Sequence, residues 1–216
     1  MRSSPFVVLA MGFTLAVPAA QAGKRTYGSN LRAAASISEA HQADSAFWPV
    51  AIRGRRAGAP GTGQILRIRL KGMARRDPGG PAPLNEVHFQ HLVPKGQGRM
   101  FVAQTTAPFY VPYTGRRNQI TEFVPENLCV SKGDTIDFND EGGWGGPSSP
   151  FYRSGVPFRV FGAVPRSSIA RFTKDRGTNN GDTLRAKVTH GRELLMQLVL
   201  GTGKNVSPAC VNFNRH

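Results

Sequence analysis

The chain has 216 residues, of which 28 are Lys or Arg and 13 are Asp or Glu, so its formal net charge at pH 7 is +15. This length is sufficient for one domain with a hydrophobic core plus a tail. Beyond the first 22 residues no stretch is apolar enough to cross a bilayer, which excludes a transmembrane segment in the rest of the chain.

The basic residues are mostly arginine, with 21 Arg and 7 Lys. Arginine offers a planar fork that pairs with phosphate, sulfate or carboxylate. The positive charge therefore predicts adhesion to anionic envelope polymers, acidic polysaccharides and other polyanions such as nucleic acid. The abundance of Arg, Gly, Ala and Pro is also typical of a GC-rich bacterial genome, so composition alone leaves a functional and a compositional origin open.

The N-terminus has the three parts of a secretory signal peptide. Arg2 supplies a positive start, residues 5–20 are apolar, and Ala20, Gln21 and Ala22 form a small-residue cleavage pattern. The apolar stretch is shorter than the ~20 residues that a membrane span needs. We therefore expect residues 1–22 to be removed after Ala22 and the protein to be secreted.

The two cysteines predict one disulfide. Cys129 and Cys210 belong to a chain that is expected to be exported, and an oxidising compartment favours their pairing. Closing a loop of about 80 residues stabilises a fold by on the order of 4 kcal/mol in the chain-entropy model. The bridge is expected to attach the C-terminal tail to the body of the domain.

Residues 23–63 are predicted to be a flexible basic tail and linker. The segment 53–63, RGRRAGAPGTG, has the Gly, Pro and Arg content of a linker. Phe47 and Trp48 are expected to dock this tail on the domain, and an anchor for a partner is the alternative.

Residues 64–216 are predicted to form the folded domain. In QILRIRLKG, Leu66, Ile68 and Leu70 alternate with basic residues, which is typical of a half-buried strand. Further strands are expected at 86–93, 99–106, 118–124, 134–139, 157–164, 168–174, 183–189 and 193–201, the last of these being the most apolar and central. About nine short strands with Gly, Pro and Asn turns predict an all-β antiparallel β-sandwich or jelly roll.

An acidic segment interrupts the basic chain. Asp137, Asn139, Asp140 and Glu141 offer clustered oxygen atoms, which makes calcium the candidate cofactor for this segment. An EF-hand is excluded because Ser148 stands where a bidentate Glu is required. The alternative is a tight turn whose acids pair with nearby arginines.

Recognised catalytic motifs are missing from the sequence. It has no G-x-S-x-G nucleophile elbow and no phosphate-binding glycine loop. His88 and His91 are three apart on a predicted strand and should point to opposite faces, although a metal site that combines either one with His190 stays open. We therefore expect no catalytic residues.

Aromatic residues beside arginines are the strongest candidates for ligand contacts. Exposed aromatic rings stack on sugars, and arginines pair with anions. The predicted ligand-binding residues are Trp144, Phe151, Tyr152, Arg153, Tyr113, Arg116 and Arg117. The alternative is that the aromatic rings cap the ends of the core.

The segments LRIRLKG, LCVSKGDTIDFNDEGG and ELLMQLVLGTG are similar to those of secreted bacterial β-sandwich proteins that have no assigned activity. The Gly-Asp turn and strand in VSKGDTIDFN also resemble those of cupredoxins and carbohydrate-binding modules. A cupredoxin site needs a compact Cys-His-Met set, and the residues after Cys210 do not supply one. The resemblance to the secreted proteins implies a sandwich and export and leaves function open, and the turn and strand similar to those of carbohydrate-binding modules favour a carbohydrate ligand.

These features favour an exported, non-catalytic module that binds polysaccharide or an anionic cell-envelope polymer. Two alternatives stay open. One is a secreted hydrolase whose site forms only in three dimensions, for which His88, His190 and an acid in one pocket would be the sign. The other is a structural or host-facing protein without a small ligand.

Overall fold

A computed structural model describes residues 23–39, 41–75, 83, 85–142, 148, 153–173, 178–211 and 213. This part of the chain is built almost entirely of antiparallel strands, which confirms the predicted all-β class. The strands are β1 Gly23–Gly28, β2 Ser45–Ala51, β3 Gly63–Lys71, β4 Met73–Ala74, β5 Glu86–His88, β6 Gln90–Pro94, β7 Arg99–Thr105, β8 Phe109–Tyr110, β9 Ile120–Phe123, β10 Cys129–Val130, β11 Thr135–Ile136, β12 Phe138–Asp140, β13 Phe158–Arg159, β14 Phe161–Phe172, β15 Thr183–Arg185, β16 Lys187–Leu194 and β17 Met196–Thr202. A 3₁₀ turn (Gly203–Asn205) and a short helix α1 (Pro208–Val211) follow.

Three sheets contain nearly all of these strands. Sheet I has the order β1-β17-β3-β10, with β9 also pairing with β3. Sheet II has six strands in the order β16-β14-β2-β12-β5-β8, and sheet III has four in the order β11-β6-β7-β15. The remaining pair, β4 and β13, forms a small separate ribbon. The most apolar strand, β17, lies between β1 and β3, as its sequence predicts.

The main core lies between sheets I and II. Phe47, Phe138 and Phe161 of sheet II are completely buried in the same cluster as Ile68 and Leu198 of sheet I. The rings of Phe47 and Phe161 have centroids 5.2 Å apart in a tilted arrangement that aromatic pairs favour. Packing of two sheets through such a core is the β-sandwich arrangement that the strand pattern predicts.

A second, smaller core lies between sheets II and III. Trp48 and Ala170 of sheet II pack in one cluster with Leu92, Val102 and Leu184 of sheet III. Adjacent residues of a strand point to opposite faces, so Phe47 enters the first core while Trp48 enters the second. Sheet II is therefore covered on both faces around β2.

The structure corrects the prediction for residues 23–63, which do not form a tail outside the domain. Strand β1 pairs with β17 along its whole length, and β2 lies inside sheet II between β14 and β12. The burial of Phe47 and Trp48, with exposed fractions of 0% and 4%, confirms that they dock on the domain. The prediction of a flexible basic tail is wrong for these residues. Tyr27 of β1 and Phe47 of β2 pack in the first core, and Trp48 of β2 packs in the second.

Two predicted strands are each divided between sheets II and III. Residues 86–93 form β5 in sheet II and β6 in sheet III, with Phe89 between them. Residues 134–139 form β11 in sheet III and β12 in sheet II, with Asp137 between them. The two switches lie side by side, because the Asp137 N–H donates to the Gln90 carbonyl over 3.1 Å.

The predicted disulfide is present between Cys129 of β10 and Cys210 of α1. It joins the end of the chain to sheet I, as expected. None of the helices in the described part of the chain has the length and apolar character needed to cross a lipid bilayer.

Candidate binding sites

A cavity of about 690 Å³ opens where sheets II and III separate, and we call it the polar cavity. Its lining comes from strand ends: Asp44 precedes β2, His88 ends β5, Gln90 begins β6 and Glu141 follows β12. The volume falls within the range of ~300–1,000 Å³ that is usual for small-molecule sites. The sheet switches therefore produce an opening in which side chains from distant parts of the chain meet.

Gln90 lies at the inner wall of the polar cavity and is only 1% exposed. Its side-chain Nε2 donates to the Thr105 hydroxyl over 3.0 Å and also to the Thr178 carbonyl. These two bonds define which end of the amide is the nitrogen. The opposite atom, Oε1, is buried and has no hydrogen-bond partner among the residues that the structure describes.

Asp44 shares this wall and has a left-handed backbone conformation with φ of 60°. Its Oδ1 accepts hydrogen bonds from the Thr178 hydroxyl and from Asn139 Nδ2, the latter over 3.3 Å. Burial raises the pKa of the Asp44 carboxyl, and the negative charges of Asp182 and Glu141 raise it further. The cavity therefore holds a carboxylate in an unfavourable electrostatic environment.

His88 and Glu141 are in contact at the cavity, with 2.8 Å between Nε2 and Oε2. His88 Nδ1 is 2.7 Å from the Thr106 carbonyl, which can only accept, so Nδ1 carries a proton. One histidine and an acid thus share a pocket, but the sign expected for a hydrolase also includes His190. His190 does not join them, because it lies on β16 opposite Ser168 of β14. His91 is buried elsewhere, 2.7 Å from Asp134.

The four residues predicted to bind calcium have separate neighbours. Asp137 Oδ1 accepts from the Gln90 N–H over 2.8 Å, and Asp140 Oδ2 accepts from the Val156 N–H over 3.1 Å. Burial raises the pKa of both carboxyls well above the usual range, which favours their neutral forms. Among the described residues no group of three or more His, Cys, Asp or Glu side chains is arranged to hold a metal ion. Calcium stays a prediction that these contacts do not support.

The predicted ligand-binding residues are only partly brought together. Arg153 lines the polar cavity. Tyr113, Arg116 and Arg117 are exposed in the turn between β8 and β9, outside the cavity lining. The aromatic residues Trp144, Phe151 and Tyr152 lie outside the described residues.

A second site is formed by two neighbouring depressions that share Gly54, and we call it the arginine groove. One depression, of about 570 Å³, is lined by Arg25, Arg55 and Arg56. The other, of about 490 Å³, is lined by Arg32 and Arg53. A tight turn, in which the Arg55 N–H donates to the Ile52 carbonyl over 3.1 Å, places three of these arginines beside β1.

The arginine groove carries an excess of positive charge, with five arginines and one glutamate in its described lining. In the part of the chain that the structure describes, none of its five arginines forms an ion pair. Glu193 borders the second depression, but its two carboxylate oxygens accept from the hydroxyls of Ser29 and Ser167 over 2.6 and 2.7 Å. By contrast, Arg67 and Arg69 both pair with Glu122. The groove thus presents guanidinium groups that are available to an anionic ligand.

Comparison with known proteins returned no matching family model, no matching curated protein and no matching solved structure. The chemistry of these two sites therefore rests on their own geometry.

Proposed function

We propose that the protein is an exported, non-catalytic module that binds polysaccharide or an anionic cell-envelope polymer. The observation that carries the proposal is the arginine groove, whose five arginines have no ion-pair partner among the described residues. Guanidinium groups pair with phosphate, sulfate or carboxylate through two parallel hydrogen bonds. The proposed ligand is thus a polymer with repeated anionic groups.

The layout of the groove suits a chain rather than a single ion. The two depressions meet at Gly54, so consecutive anionic groups of one polymer can contact Arg55 and Arg56 on one side and Arg53 on the other. Such contacts act over several units and sum along the polymer. The net charge of +15 adds a long-range attraction that increases the rate of encounter.

The experiment compares retention of the protein, without residues 1–22, on immobilised dextran and dextran sulfate. Columns are run at about 0.1 M and about 1 M NaCl, where the screening length is ~10 Å and ~3 Å. Retention on dextran sulfate alone, reduced at high salt, supports anionic-polymer binding. Retention on both matrices at high salt supports a polysaccharide module that uses stacking and hydrogen bonds. Release from both matrices at both salt concentrations would contradict the proposal.

A secreted hydrolase is the second candidate, favoured by the contact of His88 with Glu141 beside Asp44 in the polar cavity. Carboxylates in such a pocket are suited to general acid–base catalysis. The test is the appearance of new reducing ends when polysaccharides are incubated with the protein. Reducing ends that form with the wild type and are lost in Glu141→Gln would establish the hydrolase in place of the binding module.

A further inference from the structure

We propose that the polar cavity is a binding site for a primary ammonium group of a small ligand. This inference goes beyond the proposed function, because the polar cavity and the arginine groove share no lining residue. It rests on which hydrogen-bonding atoms of the lining are already used and which remain available.

The donors of Gln90, Thr105, Thr178 and His88 in the cavity wall are used within the protein. Gln90 Nε2 donates to Thr105 and Thr178, and the Thr105 hydroxyl donates to Asn180 Oδ1 over 2.8 Å. The Thr178 hydroxyl and Asn139 Nδ2 donate to Asp44. His88 donates from Nδ1 to the Thr106 carbonyl, and its Nε2 faces Glu141. The other side chains of the lining that carry N–H donors, Arg153, Asn179 and Asn180, are exposed, whereas Gln90 and Thr178 form the buried part of the wall.

Acceptors, in contrast, are left over. Gln90 Oε1 is buried in the cavity wall without a partner among the described residues. The hydrogen bonds that Asp44 accepts from Thr178 and Asn139 both reach Oδ1, which leaves Oδ2 for a ligand. A buried acceptor without a donor carries a desolvation penalty of about 1–3 kcal/mol that a ligand donor can remove.

A primary ammonium group fits this arrangement better than a hydroxyl or a metal ion does. Its three N–H donors carry a positive charge and no acceptor, so it can satisfy Gln90 Oε1 and Asp44 together. A hydroxyl also offers an acceptor, which the used donors cannot match. The pKa of the Asp44 carboxyl is raised by burial and by nearby acids, and a bound cation would offset this rise by stabilising the carboxylate. A metal is disfavoured because no group of three acidic, histidine or cysteine ligands converges in the described part.

The probes are glucosamine, N-acetylglucosamine and putrescine, titrated into ¹⁵N-labelled protein and followed by amide chemical shifts. Glucosamine carries the ammonium group on a sugar, N-acetylglucosamine replaces it with a neutral amide, and putrescine carries ammonium groups without hydroxyls. We expect glucosamine or putrescine to shift the amides of Asp44, Gln90 and Asn180, and N-acetylglucosamine to bind at least about tenfold more weakly. Tighter binding of glucosamine than of putrescine would identify the ligand that carries the ammonium group as an amino sugar. The reverse order would identify it as a polyamine.

The matched variant is Asp44→Asn, which keeps an oxygen acceptor for Thr178 and removes the charge. Asn also tolerates the left-handed backbone at this position. We expect its affinity for the better amine probe to fall about tenfold or more, while Arg25→Gln in the arginine groove leaves that affinity unchanged. Because Arg25→Gln acts only on the groove, failure of this inference is distinguishable from failure of the proposed function. Equal binding of glucosamine and N-acetylglucosamine, shifts only outside the cavity, or an unchanged Asp44→Asn affinity would overturn the inference.

Discussion

Asp137 and Gln90 exchange two hydrogen bonds at the point where two neighbouring strands pass between sheets II and III. The Asp137 N–H donates to the Gln90 carbonyl over 3.1 Å, and the Gln90 N–H donates to Asp137 Oδ1 over 2.8 Å. The pair replaces the backbone ladder that the switch interrupts. It also holds the Gln90 side chain in the wall of the polar cavity.

The first prediction concerns Asp137→Asn. Burial raises the pKa of the Asp137 carboxyl well above its usual range, so the folded state favours the protonated form. The contribution of Asp137 to stability is complete below the pKa of about 3.9 that its carboxyl has in the unfolded chain. It is lost as pH rises towards the pKa of the same carboxyl in the folded protein. Asn keeps the acceptor for the Gln90 N–H and cannot ionise. We expect the variant to be more stable than the wild type at pH 7, by on the order of 1–3 kcal/mol.

Urea denaturation between pH 3 and pH 7 measures this effect. The difference between variant and wild type should grow as pH rises, whereas Glu126→Gln on the exposed surface should follow the wild type. A variant that is less stable than the wild type at pH 7 would contradict the assigned protonation of Asp137.

The second prediction concerns the protonation of His41. Burial lowers the pKa of this imidazole to about 4, and its ring packs against Phe47 with centroids 5.2 Å apart. A lowered folded pKa gives stability that is present above the unfolded pKa of about 6.5 and is lost as pH falls through the folded value. As pH falls from 6.5 to 4, the contribution of His41 to the free energy of unfolding decreases by about 3 kcal/mol.

The measurement is an NMR titration of the His41 ring protons. A midpoint close to pH 4 is expected, and the ring should stay neutral at pH 6. A midpoint near 6.5 would contradict the lowered pKa, and it would indicate either a solvated ring or an ionised Asp140, whose carboxyl oxygen lies 3.2 Å from His41 Nδ1.

The third prediction concerns the disulfide. Cys129 and Cys210 are separated by 81 positions, and the bridge attaches α1 to β10 of sheet I. Replacing both by alanine should lower the free energy of unfolding by about 4 kcal/mol in the chain-entropy model. Reducing agent should lower the stability of the wild type by a similar amount and leave the double variant unchanged. A loss below about 1 kcal/mol, within the small end of the observed range, would show that the bridge contributes little.

The fourth prediction uses two glycines that lie close in sequence. A Cβ atom at Gly63 of β3 would come within 2.0 Å of the Gly201 carbonyl oxygen on β17, so the two strands must separate to accept it. A Cβ atom at Gly61 would have no other atom within 4 Å. We expect Gly63→Ala to cost about 1–3 kcal/mol, as overpacking does, and Gly61→Ala to change stability by less than about 0.5 kcal/mol. Thermal denaturation that shows equal losses would contradict the close approach of β3 and β17.

The alternating strands were the most predictable part of the fold. In QILRIRLKG, the strand and the burial of Ile68 and Leu70 are as predicted. Leu66 does not enter the core as predicted. It is the extra residue of a β-bulge opposite Val199 and Leu200, and Ile65 is buried in its place. Such a bulge depends on the partner strand and leaves no mark in the local pattern.

The sites were less predictable than the strands because their residues are distant in sequence. The polar cavity joins Asp44 from the expected tail to Gln90 and Glu141 from two other segments. The sheet switches that bring them together look like continuous strands in the sequence. The arginine groove could not be predicted for another reason. A Gly- and Arg-rich stretch such as residues 53–63 is typical of a linker, and only the pairing of β1 with β17 fixes the position of the groove.

The measurement that tests the central claim most directly compares two triple variants for binding to dextran sulfate. One carries Arg25→Gln, Arg55→Gln and Arg56→Gln in the groove. The other carries Arg99→Gln, Arg185→Gln and Lys187→Gln on the exposed surface of β7, β15 and β16, so both lose the same charge.

The groove variant should lose about tenfold to a hundredfold in affinity and show a weaker dependence on salt, because fewer counterions are displaced. The surface variant should lose less than about threefold, since exposed charges act mainly at long range. Equal losses in the two variants would contradict the account, because net charge and not the arginine groove would then hold the polymer.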